Sequence, residues 1–516
     1  MSARTTSSST PRAMLFYLPA LATIALAAVI RSASWLNCDV SWLITVCEKL
    51  LAGARPYVDF DEPNPPASFL IYMPAAVMGR LVGVASELFV TLLIFAGALL
   101  SLWLSGRILA QNRQVTPGQQ PALFAAGCAM LLILPADTFG QREHIALISI
   151  LPMLAAYSAR AAGASVRTAA ATIAGLGGGL AVAIKPHFAL ALIFPFAYAA
   201  WKLRKSRAGL RALILTPEHF AAMLIVLAYA AVLVFYFGIY FQKIVPLVLT
   251  LYISSGVPRL LLLGNPSIIL VAAGAIVVLV LGRDQIRNPP HRVASLAVLG
   301  FTAALLIQAK GFNYHGYPAI ALGMLLLFQI LLTWVAKLGE KPERSRSSRF
   351  VYACAGLLLF AEFFALEYVW FLQGWNRVQY ALVPAVARLV PAHPKIFAFA
   401  GGPQVAFPLT RILKGASLGP TPFQWVSDRA DRMLASDPMD SATRRRIEGY
   451  ARVDRARTAL SVRTFQPDVI LVEGKLREDW AHSHREIAAV LSAYRRVSTV
   501  DDIEIWLRIP ATGGHS

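Results

Sequence analysis

Long apolar runs alternate with short polar segments from Met14 to about Trp370. Many of these runs approach the roughly 20 residues that an α-helix needs to cross a bilayer. The first run lacks an A-x-A-like cleavage site, which favours a retained anchor over a signal peptide. The pattern predicts a polytopic α-helical membrane protein with eleven spans. They are 14–34, 86–108, 121–136, 144–160, 168–184, 188–201, 217–240, 265–282, 293–309, 317–336 and 350–372.

One further apolar run, residues 67–84, follows two prolines and carries Arg80. If it crossed the membrane, the basic clusters at 202–211, 283–292 and 337–349 would all be exported. That outcome opposes the tendency of Lys and Arg to stay in cytoplasmic loops. We therefore predict that residues 67–84 lie along the membrane surface. The N-terminus is then cytoplasmic and the C-terminal region extracytoplasmic.

The apolar runs stop near Gly374, and short segments bounded by Pro and Gly follow. Strands alternating with helices are typical of a small α/β domain with a partly parallel sheet. We therefore divide the chain into a transmembrane domain, 1–372, with a first exported loop at 35–85, and a soluble domain, 373–516. The predicted strands lie at 394–402, 467–474 and 498–508, and the predicted helices at 376–392, 441–459 and 478–495.

Composition supports this division. Of 516 residues, 57% are hydrophobic and only 15% are charged, an apolar excess that a soluble core does not need. The formal net charge of +20 invites a nucleic-acid partner. We exclude that partner because the basic residues cluster between apolar runs, as they do in cytoplasmic loops. The four cysteines have no metal-ligand spacing and are interpreted as small apolar residues, although Cys38 and Cys47 share one loop region.

Five polar segments fall on the extracytoplasmic side in this topology. They are NCDVSW, DFDEPNPP, DTFGQREH, IKPHF and QAKGFNYHGYP. These segments hold most side chains capable of chemistry, whereas the cytoplasmic loops carry little except basic residues. An outward-facing site is the natural inference.

The first of these segments places Asp39 at the end of the first span. SWLITVCEKLLAG follows with the helical spacing of an amphipathic surface helix. Asp61 and Glu62 then precede the stiff pair Pro65 and Pro66, which can hold a carboxylate over the membrane. Asp39 is the candidate base. The alternative for any single acid here is a solvated loop charge.

The later segments supply cations beside apolar spans: Arg142, Lys185 and Lys310. Each either extends to lipid headgroups or binds an anion. A carboxylate, several cations and apolar walls at membrane depth fit a substrate with a phosphate head and a lipid tail. The predicted substrate-binding residues are Asp61, Glu62, Asp137, Arg142, Glu143, His144, Lys185, His187, Lys310, Tyr314 and His315.

The motifs D-x-SW, Y-x-D-x-x-E-x-N-P-P, G-Q-R-E-H and K-G-x-x-Y-H-x-Y-P resemble those of the GT-C membrane glycosyltransferases. The closest pattern is that of the protein O-mannosyltransferase and aminoarabinose transferase superfamily. The resemblance implies a GT-C-like fold and makes Asp39 the catalytic carboxylate. Glu62 matches, with an offset, an acid that can help to bind a metal in relatives. A single Asp replaces the family's acidic pair, and Asn64 stands where some relatives carry Lys.

The predicted function is transfer of a sugar from a polyprenyl-phosphate donor to a lipid, glycan or protein acceptor, with inversion. The predicted location is a bacterial inner membrane, with the C-terminal domain in the periplasm. A transporter or flippase of lipid-linked saccharide, and a polymerase or ligase of surface polysaccharide, remain alternatives. No cofactor is assigned, and a divalent metal with Glu62 as ligand is left open. Glu362 and Glu367 in the last span have no assigned role.

Overall fold

The computed structural model describes residues 15–253, 256–338, 375–436 and 438–510. Most of these residues are helical. The α-helices are α1 (Leu18–Ser32), α2 (Cys38–Leu51), α3 (Ala67–Leu70), α4 (Met73–Val82), α5 (Ser86–Gln111), α6 (Gln120–Cys128), α7 (Arg142–Ala161), α8 (Thr168–Ile184), α9 (Leu190–Leu203), α10 (Arg207–Ile214), α11 (Pro217–Tyr236), α12 (Val245–Leu247), α13 (Arg259–Leu262), α14 (Pro266–Leu281), α15 (Pro289–Gln308), α16 (Tyr317–Leu338), α17 (Trp375–Ala387), α18 (Leu409–Ile412), α19 (Trp425–Ser436), α20 (Ser441–Phe465), α21 (Gly474–Ser483) and α22 (Arg485–Leu491).

Tighter and wider helical turns join several of these helices. Short 3₁₀ turns occur at Ala136–Thr138, Pro186–Ala189, Gln285–Arg287 and Asn313–Gly316. π-Helical turns occur at Ala129–Ile133, Tyr240–Ile244 and Val248–Ile253. The strands are β1 (Lys395–Phe399), β2 (Ala416–Ser417), β3 (Val469–Glu473), β4 (Tyr494–Val500) and β5 (Ile503–Arg508).

Within the described ranges, five helices are long and apolar enough to cross a membrane: Ser86–Gln111, Arg142–Ala161, Pro217–Tyr236, Pro289–Gln308 and Asn313–Trp334. Several predicted spans are shorter apolar helices, such as α1 with 15 residues. Residues 67–84 form the short helices α3 and α4, and their position along the membrane surface stays a prediction. The predicted span 350–372, with Glu362 and Glu367, lies outside the described residues, so the total of eleven stays a prediction.

The chain forms two compact units. The described parts of 1–34, 91–230 and 257–368 make up the first unit. The second unit contains the described parts of 35–90, 231–256 and 369–516. Residues 35–90 and the described C-terminal residues therefore belong to the same unit.

Glycines allow close helix packing in the first unit. A Cβ atom on Gly175 would lie 2.1 Å from the Glu218 carbonyl oxygen of α11. On Gly177 it would lie 2.3 Å from the Ser149 carbonyl oxygen of α7. Close backbone approach through small residues is typical of helices packed in a membrane. The run GLGGGL in α8 thus permits contact with a neighbour on each of two faces.

A five-stranded sheet of order β2-β1-β3-β5-β4 forms part of the second unit. β1 runs parallel to β2 and β3, whereas β5 pairs antiparallel with β3 and β4. The predicted partly parallel sheet is confirmed. β1 and β3 are apolar almost throughout because helices cover them, as is usual for parallel strands. The core residues here include Phe397, Phe399, Ile470, Val472, Ile487 and Leu491.

Residues 240–253, which the sequence pattern left unassigned, also belong to the second unit. Leu247 and Leu251 are buried in one apolar cluster with Trp425 of α19 and Ile447 of α20. Most predicted C-terminal elements correspond to observed ones, but β2, β4 and α19 were not predicted. Two buried positions of α19, Ser427 and Asp428, are polar, so the pattern of apolar residues did not reveal the helix.

Candidate active site

The predicted site residues divide between the two units. Asp39, Asp61 and Glu62 lie in the second unit. The others lie in the first unit: Asp137, Arg142, Glu143, His144, Lys185, His187, Lys310, Tyr314 and His315. Each group is described separately.

The first unit holds a buried polar cluster centred on Glu143. The Lys185 ammonium donates to Glu143 Oε1 over 2.5 Å and to Gln308 Oε1 over 3.1 Å. His315 Nε2 lies 3.7 Å from the same Glu143 oxygen. The Glu143 side chain is fully buried and that of Lys185 is 8% exposed. The structure therefore brings three predicted residues together and adds Gln308, which the sequence analysis missed.

Local backbone signals position these side chains. α8 ends at Ile184 because Lys185 precedes Pro186 and is extended, with φ −148°. α7 begins at Arg142, so Glu143 lies in its first turn, where the helix dipole favours a carboxylate. His315 lies on the 3₁₀ turn Asn313–Gly316 that precedes α16.

Three buried atoms of this cluster have no hydrogen-bond partner among the described residues: Glu143 Oε2, His187 Nε2 and His315 Nδ1. His187 follows Pro186, and it interacts electrostatically with Glu143 and Lys185. Burial, followed by the positive charge of Lys185, lowers the pKa of His187 to about 4, although Glu143 opposes this shift. His187 is therefore neutral near pH 7. The cluster retains hydrogen-bonding capacity that the chain itself does not use.

Arg142 is also buried, with 4% of its surface exposed, and its charge acts on the Glu143 carboxylate. Lys310 is half-buried between Ala309 and Gly311, which both have positive φ angles. Tyr314 stacks on Phe312 with ring centroids 5.5 Å apart and meets His315 edge-on at 4.5 Å.

His144, by contrast, has a structural position. Its Nδ1 accepts a hydrogen bond from the Gly140 amide at 3.0 Å, so Nε2 carries the proton and donates to the Leu131 carbonyl at 2.7 Å. Tyr317 donates to the neighbouring Met130 carbonyl at 2.8 Å. Met130 and Leu131 belong to a π-helical turn, whose hydrogen-bond pattern differs from that of an α-helix. With both nitrogens engaged, His144 stabilises this turn.

Arg31 stabilises the following turn, and the sequence analysis missed it. Its Nη1 donates to the Ala136 carbonyl at 3.1 Å, and its guanidinium lies 4.7 Å from the centre of the Phe139 ring. Ala136 has a φ of +43°, which is unfavourable for alanine. Asp137, the next residue, is half-buried. In the sequence, a single Arg at the end of an apolar run cannot be distinguished from a cation that contacts lipid headgroups.

In the second unit, Asp39 is the second residue of α2 and is half-buried. The Asn37 side chain accepts a hydrogen bond from the Asp39 amide at 2.8 Å and caps the helix. The helix dipole stabilises a carboxylate at this position. The amphipathic helix predicted after Asp39 is confirmed as α2.

Asp61 joins three segments of the second unit. The Lys243 ammonium donates to Asp61 Oδ1 at 2.7 Å, and the Arg457 guanidinium binds Oδ2. The same Lys243 ammonium donates to the Tyr57 carbonyl at 2.8 Å. The Asp61 amide also donates to the Pro420 carbonyl at 2.8 Å. Both carboxylate oxygens are thus engaged by cations of the chain itself.

Glu62 is similarly engaged. Trp42 Nε1 donates to Oε2 at 2.8 Å, and the Asn64 amide and side chain donate to Oε1 at 3.0 and 2.5 Å. Among the described residues, no group of three or more His, Cys, Asp or Glu side chains is placed to hold a metal ion. The oxygens of Glu62 accept three hydrogen bonds from the chain itself, and its role as a metal ligand stays a prediction.

A further ion cluster in this unit was not predicted. Arg411 donates to both oxygens of Glu48, at 2.7 and 2.9 Å, and also binds Glu87. Ser86 donates to Glu48 at 2.6 Å. Nearby, the Cys47 thiol donates to the Phe69 carbonyl at 3.0 Å, and its burial raises its pKa.

The fold is similar to that of ArnT from Cupriavidus metallidurans. The crystal structure of ArnT bound to undecaprenyl phosphate matches with a TM-score of 0.55 and 10% sequence identity, over 96% of this chain and 99% of that chain. The apo crystal structure matches with a TM-score of 0.53 and 12% identity, over 99% and 100% of the two chains. The chain has an ArnT-like fold. The fold expected from the motifs is confirmed.

The sequence comparisons are negative. No protein-family model matches the chain, and no curated protein matches it. At such low identity, the structural likeness shows the fold and leaves the activity to be argued from the residues.

Proposed function

We propose that this protein is a bacterial membrane glycosyltransferase that moves a sugar from a polyprenyl phosphate to an extracytoplasmic acceptor. The observation that carries the proposal is the likeness, over 96% of the chain, to ArnT bound to undecaprenyl phosphate. The apolar helices support a membrane-embedded donor. The acceptor is a hydroxyl-bearing lipid, glycan or protein.

In this proposal Asp39 is the general base. It takes the proton of the acceptor hydroxyl while the acceptor oxygen attacks the anomeric carbon of the donor sugar. The bond between that carbon and the phosphate oxygen breaks, and the lipid phosphate leaves with the bonding electron pair. One displacement of this kind inverts the anomeric configuration.

Negative charge grows on the leaving phosphate, and cations that are already in position stabilise it. Arg142, Lys185 and Lys310 are the cations that the sequence predicts for this role. Arg142 is the strongest of them, because its planar guanidinium can bind two phosphate oxygens. Lys185 is the weakest, because Glu143 already balances its charge over 2.5 Å.

The first test is a transfer assay with purified full-length protein and synthetic undecaprenyl-phosphate sugars. We expect Asp39→Asn to lower transfer at least about a hundredfold, within the usual range for a general base. Asp59→Asn is the matched control, because Asp59 lies in the same exported loop in an exposed pair with Arg55. Near-normal transfer by Asp39→Asn would remove Asp39 from the mechanism.

The second test addresses orientation. A reporter inserted at Arg207 should report the cytoplasm, and one fused after Arg508 should report the periplasm, because basic loops stay inside. A cytoplasmic signal from the second fusion would overturn the outward-facing site.

A further inference from the structure

In the Glu143 cluster of the first unit, Lys185 and Glu143 balance each other's charge, and this bears on which part of a substrate these residues can bind. Lys185 donates to Glu143 at 2.5 Å and is nearly buried, so its positive charge is balanced within the protein. A carboxylate at this position also opposes the approach of a phosphate, because like charges repel strongly where water is scarce.

The same cluster has unused hydrogen-bonding capacity. Glu143 Oε2 can only accept a hydrogen bond. His187 Nε2 and His315 Nδ1 can each donate or accept, depending on the tautomer of the ring. All three atoms are buried without a partner among the described residues, an arrangement that is costly unless a ligand supplies the missing partners. A hydroxyl group both donates and accepts, so several hydroxyls on one ligand match this mixed set.

Glu143, His187 and His315 lie on three different elements of the first unit. Glu143 is in the first turn of α7, His187 follows Pro186, and His315 lies on the turn before α16. His315 interacts electrostatically with Lys185, Glu143 and His187, so the groups share one neighbourhood. Three separate elements thus bring together polar atoms that have no hydrogen-bond partner among the described residues. One isolated buried histidine would not indicate a ligand site.

We propose that Glu143, His187 and His315 bind hydroxyl groups of the donor sugar, and that Lys185 is the internal counter-ion of Glu143 and not a phosphate ligand. This inference rests on the proposed glycosyltransferase function. It divides the donor between two kinds of residue: cations such as Arg142 take the phosphate, and the neutral cluster takes the sugar.

The test measures binding to purified full-length protein in nanodiscs. The probes are undecaprenyl phosphate alone and undecaprenyl phosphates that carry glucose, galactose, mannose, arabinose or N-acetylglucosamine. In the wild type, we expect at least one glycosylated lipid to bind about tenfold or more tightly than the bare lipid phosphate, since hydrogen bonds to sugar hydroxyls are lost in the latter. This comparison of bare and glycosylated lipid phosphate uses the wild-type protein alone.

The variants are His187→Phe and His315→Phe, which keep a planar ring and remove the polar atoms. We expect each to abolish most of the gain from the sugar while the bare lipid phosphate binds within about twofold of wild type. His291→Phe is the matched control. His291 is also a buried histidine, and its ring nitrogens have no hydrogen-bond partner among the described residues, but it lies 17 residues before Gln308 on α15, about 25 Å along the helix.

Two results would overturn the sugar subsite alone: equal weakening of bare and glycosylated lipid in the cluster variants, or a wild type that gains nothing from any sugar. Binding of neither lipid by folded wild-type protein would overturn the proposed function itself. The three outcomes are distinguishable in one series of measurements.

Discussion

Buried carboxylates in the two units are satisfied to different extents. In the second unit, Asp61 binds two cations, Glu62 accepts three hydrogen bonds and Glu48 shares Arg411 with Glu87. In the first unit, Glu143 is fully buried, yet its Oε2 has no hydrogen-bond partner among the described residues. Glu218, also fully buried in the first unit, accepts hydrogen bonds from the Arg160 guanidinium on both oxygens, so the contrast is between Glu143 and the other acids.

The difference suggests how to separate acidic residues that support the fold from acidic residues that can bind a ligand in this protein. A carboxylate whose two oxygens both accept hydrogen bonds from the chain is held in place by those bonds, which suits a structural role. A buried carboxylate with an unused oxygen incurs an energetic cost that a ligand can remove. Asp39 stands apart from both, as a half-buried acid at a helix start.

The largest effect on stability is expected for Glu143→Gln. The change leaves the Lys185 ammonium buried without its counter-ion, and we expect a loss of about 3–5 kcal/mol in the free energy of unfolding. The double variant Glu143→Gln with Lys185→Met should recover most of this stability, because no unpaired charge remains. Transfer should stay low in both. Thermal unfolding and transfer are measured on the same samples, and full activity in the double variant would contradict a binding role for Glu143.

Arg411→Met should have the next largest effect. It leaves Glu48 and Glu87 without their shared guanidinium, at a cost of about 2 kcal/mol, reduced because Glu48 is partly exposed. Transfer per folded molecule should be unchanged, because the cluster is structural. Arg55→Met is the control: it removes an exposed pair with Asp59, so the melting temperature should not shift measurably. Equal shifts in the melting temperatures of Arg411→Met and Arg55→Met would mean that the ion pairs of Arg411 stabilise the protein no more than one exposed ion pair does.

Asp61→Asn should lower the free energy of unfolding by about 1–2 kcal/mol, since it removes one charge from a partly exposed trio with Lys243 and Arg457. If Asp61 is structural, KM for the donor stays at the wild-type value once the folded fraction is measured. If Asp61 binds substrate, as the sequence analysis predicted, KM rises several-fold without a matching loss of stability. Steady-state kinetics with a thermal melt separates the two results.

The smallest expected effect is on the pH dependence of the melting temperature. Burial raises the pKa of Glu48, but hydrogen bonds from Arg411 and Ser86 and the charge of Arg411 outweigh it, so the pKa lies below its ordinary 4.5. A lowered acid pKa contributes stability above pH 4.5 that disappears as the pH falls through the folded-state value. The melting temperatures of wild type and Glu48→Gln should therefore converge on acidification below pH 4.5. If the difference in melting temperature between wild type and Glu48→Gln stays constant as the pH falls, Glu48 does not contribute pH-dependent stability.

Much of the fold follows from local patterns in the sequence. Apolar runs predict the membrane helices, and the amphipathic spacing after Asp39 predicts α2. Pro and Gly delimit the strands that became β1, β3 and β5. Residues 240–253 escaped this reasoning because their π-helical turns and short α12 do not produce a regular helical period.

The site was predicted only in part. The motifs GQREH and KGFNYHGYP pointed to the right neighbourhood, since Glu143 and His315 lie 3.7 Å apart. They did not distinguish His144, whose two nitrogens support a turn, from His315, whose Nδ1 has no hydrogen-bond partner among the described residues. Sequence patterns identify the chemical type of a side chain but not which of its atoms is already engaged.

The sequence by itself determined most of the helices, the strands β1, β3 and β5, and the loops that hold reactive residues, because those depend on neighbours a few positions away. Only the tertiary structure decided the partners: Lys185 for Glu143 across 42 positions, and Arg411 for Glu48 across 363. Hydrogen bonds and ion pairs act over a few ångströms, so the role of a carboxylate depends on which distant segments the fold brings next to it.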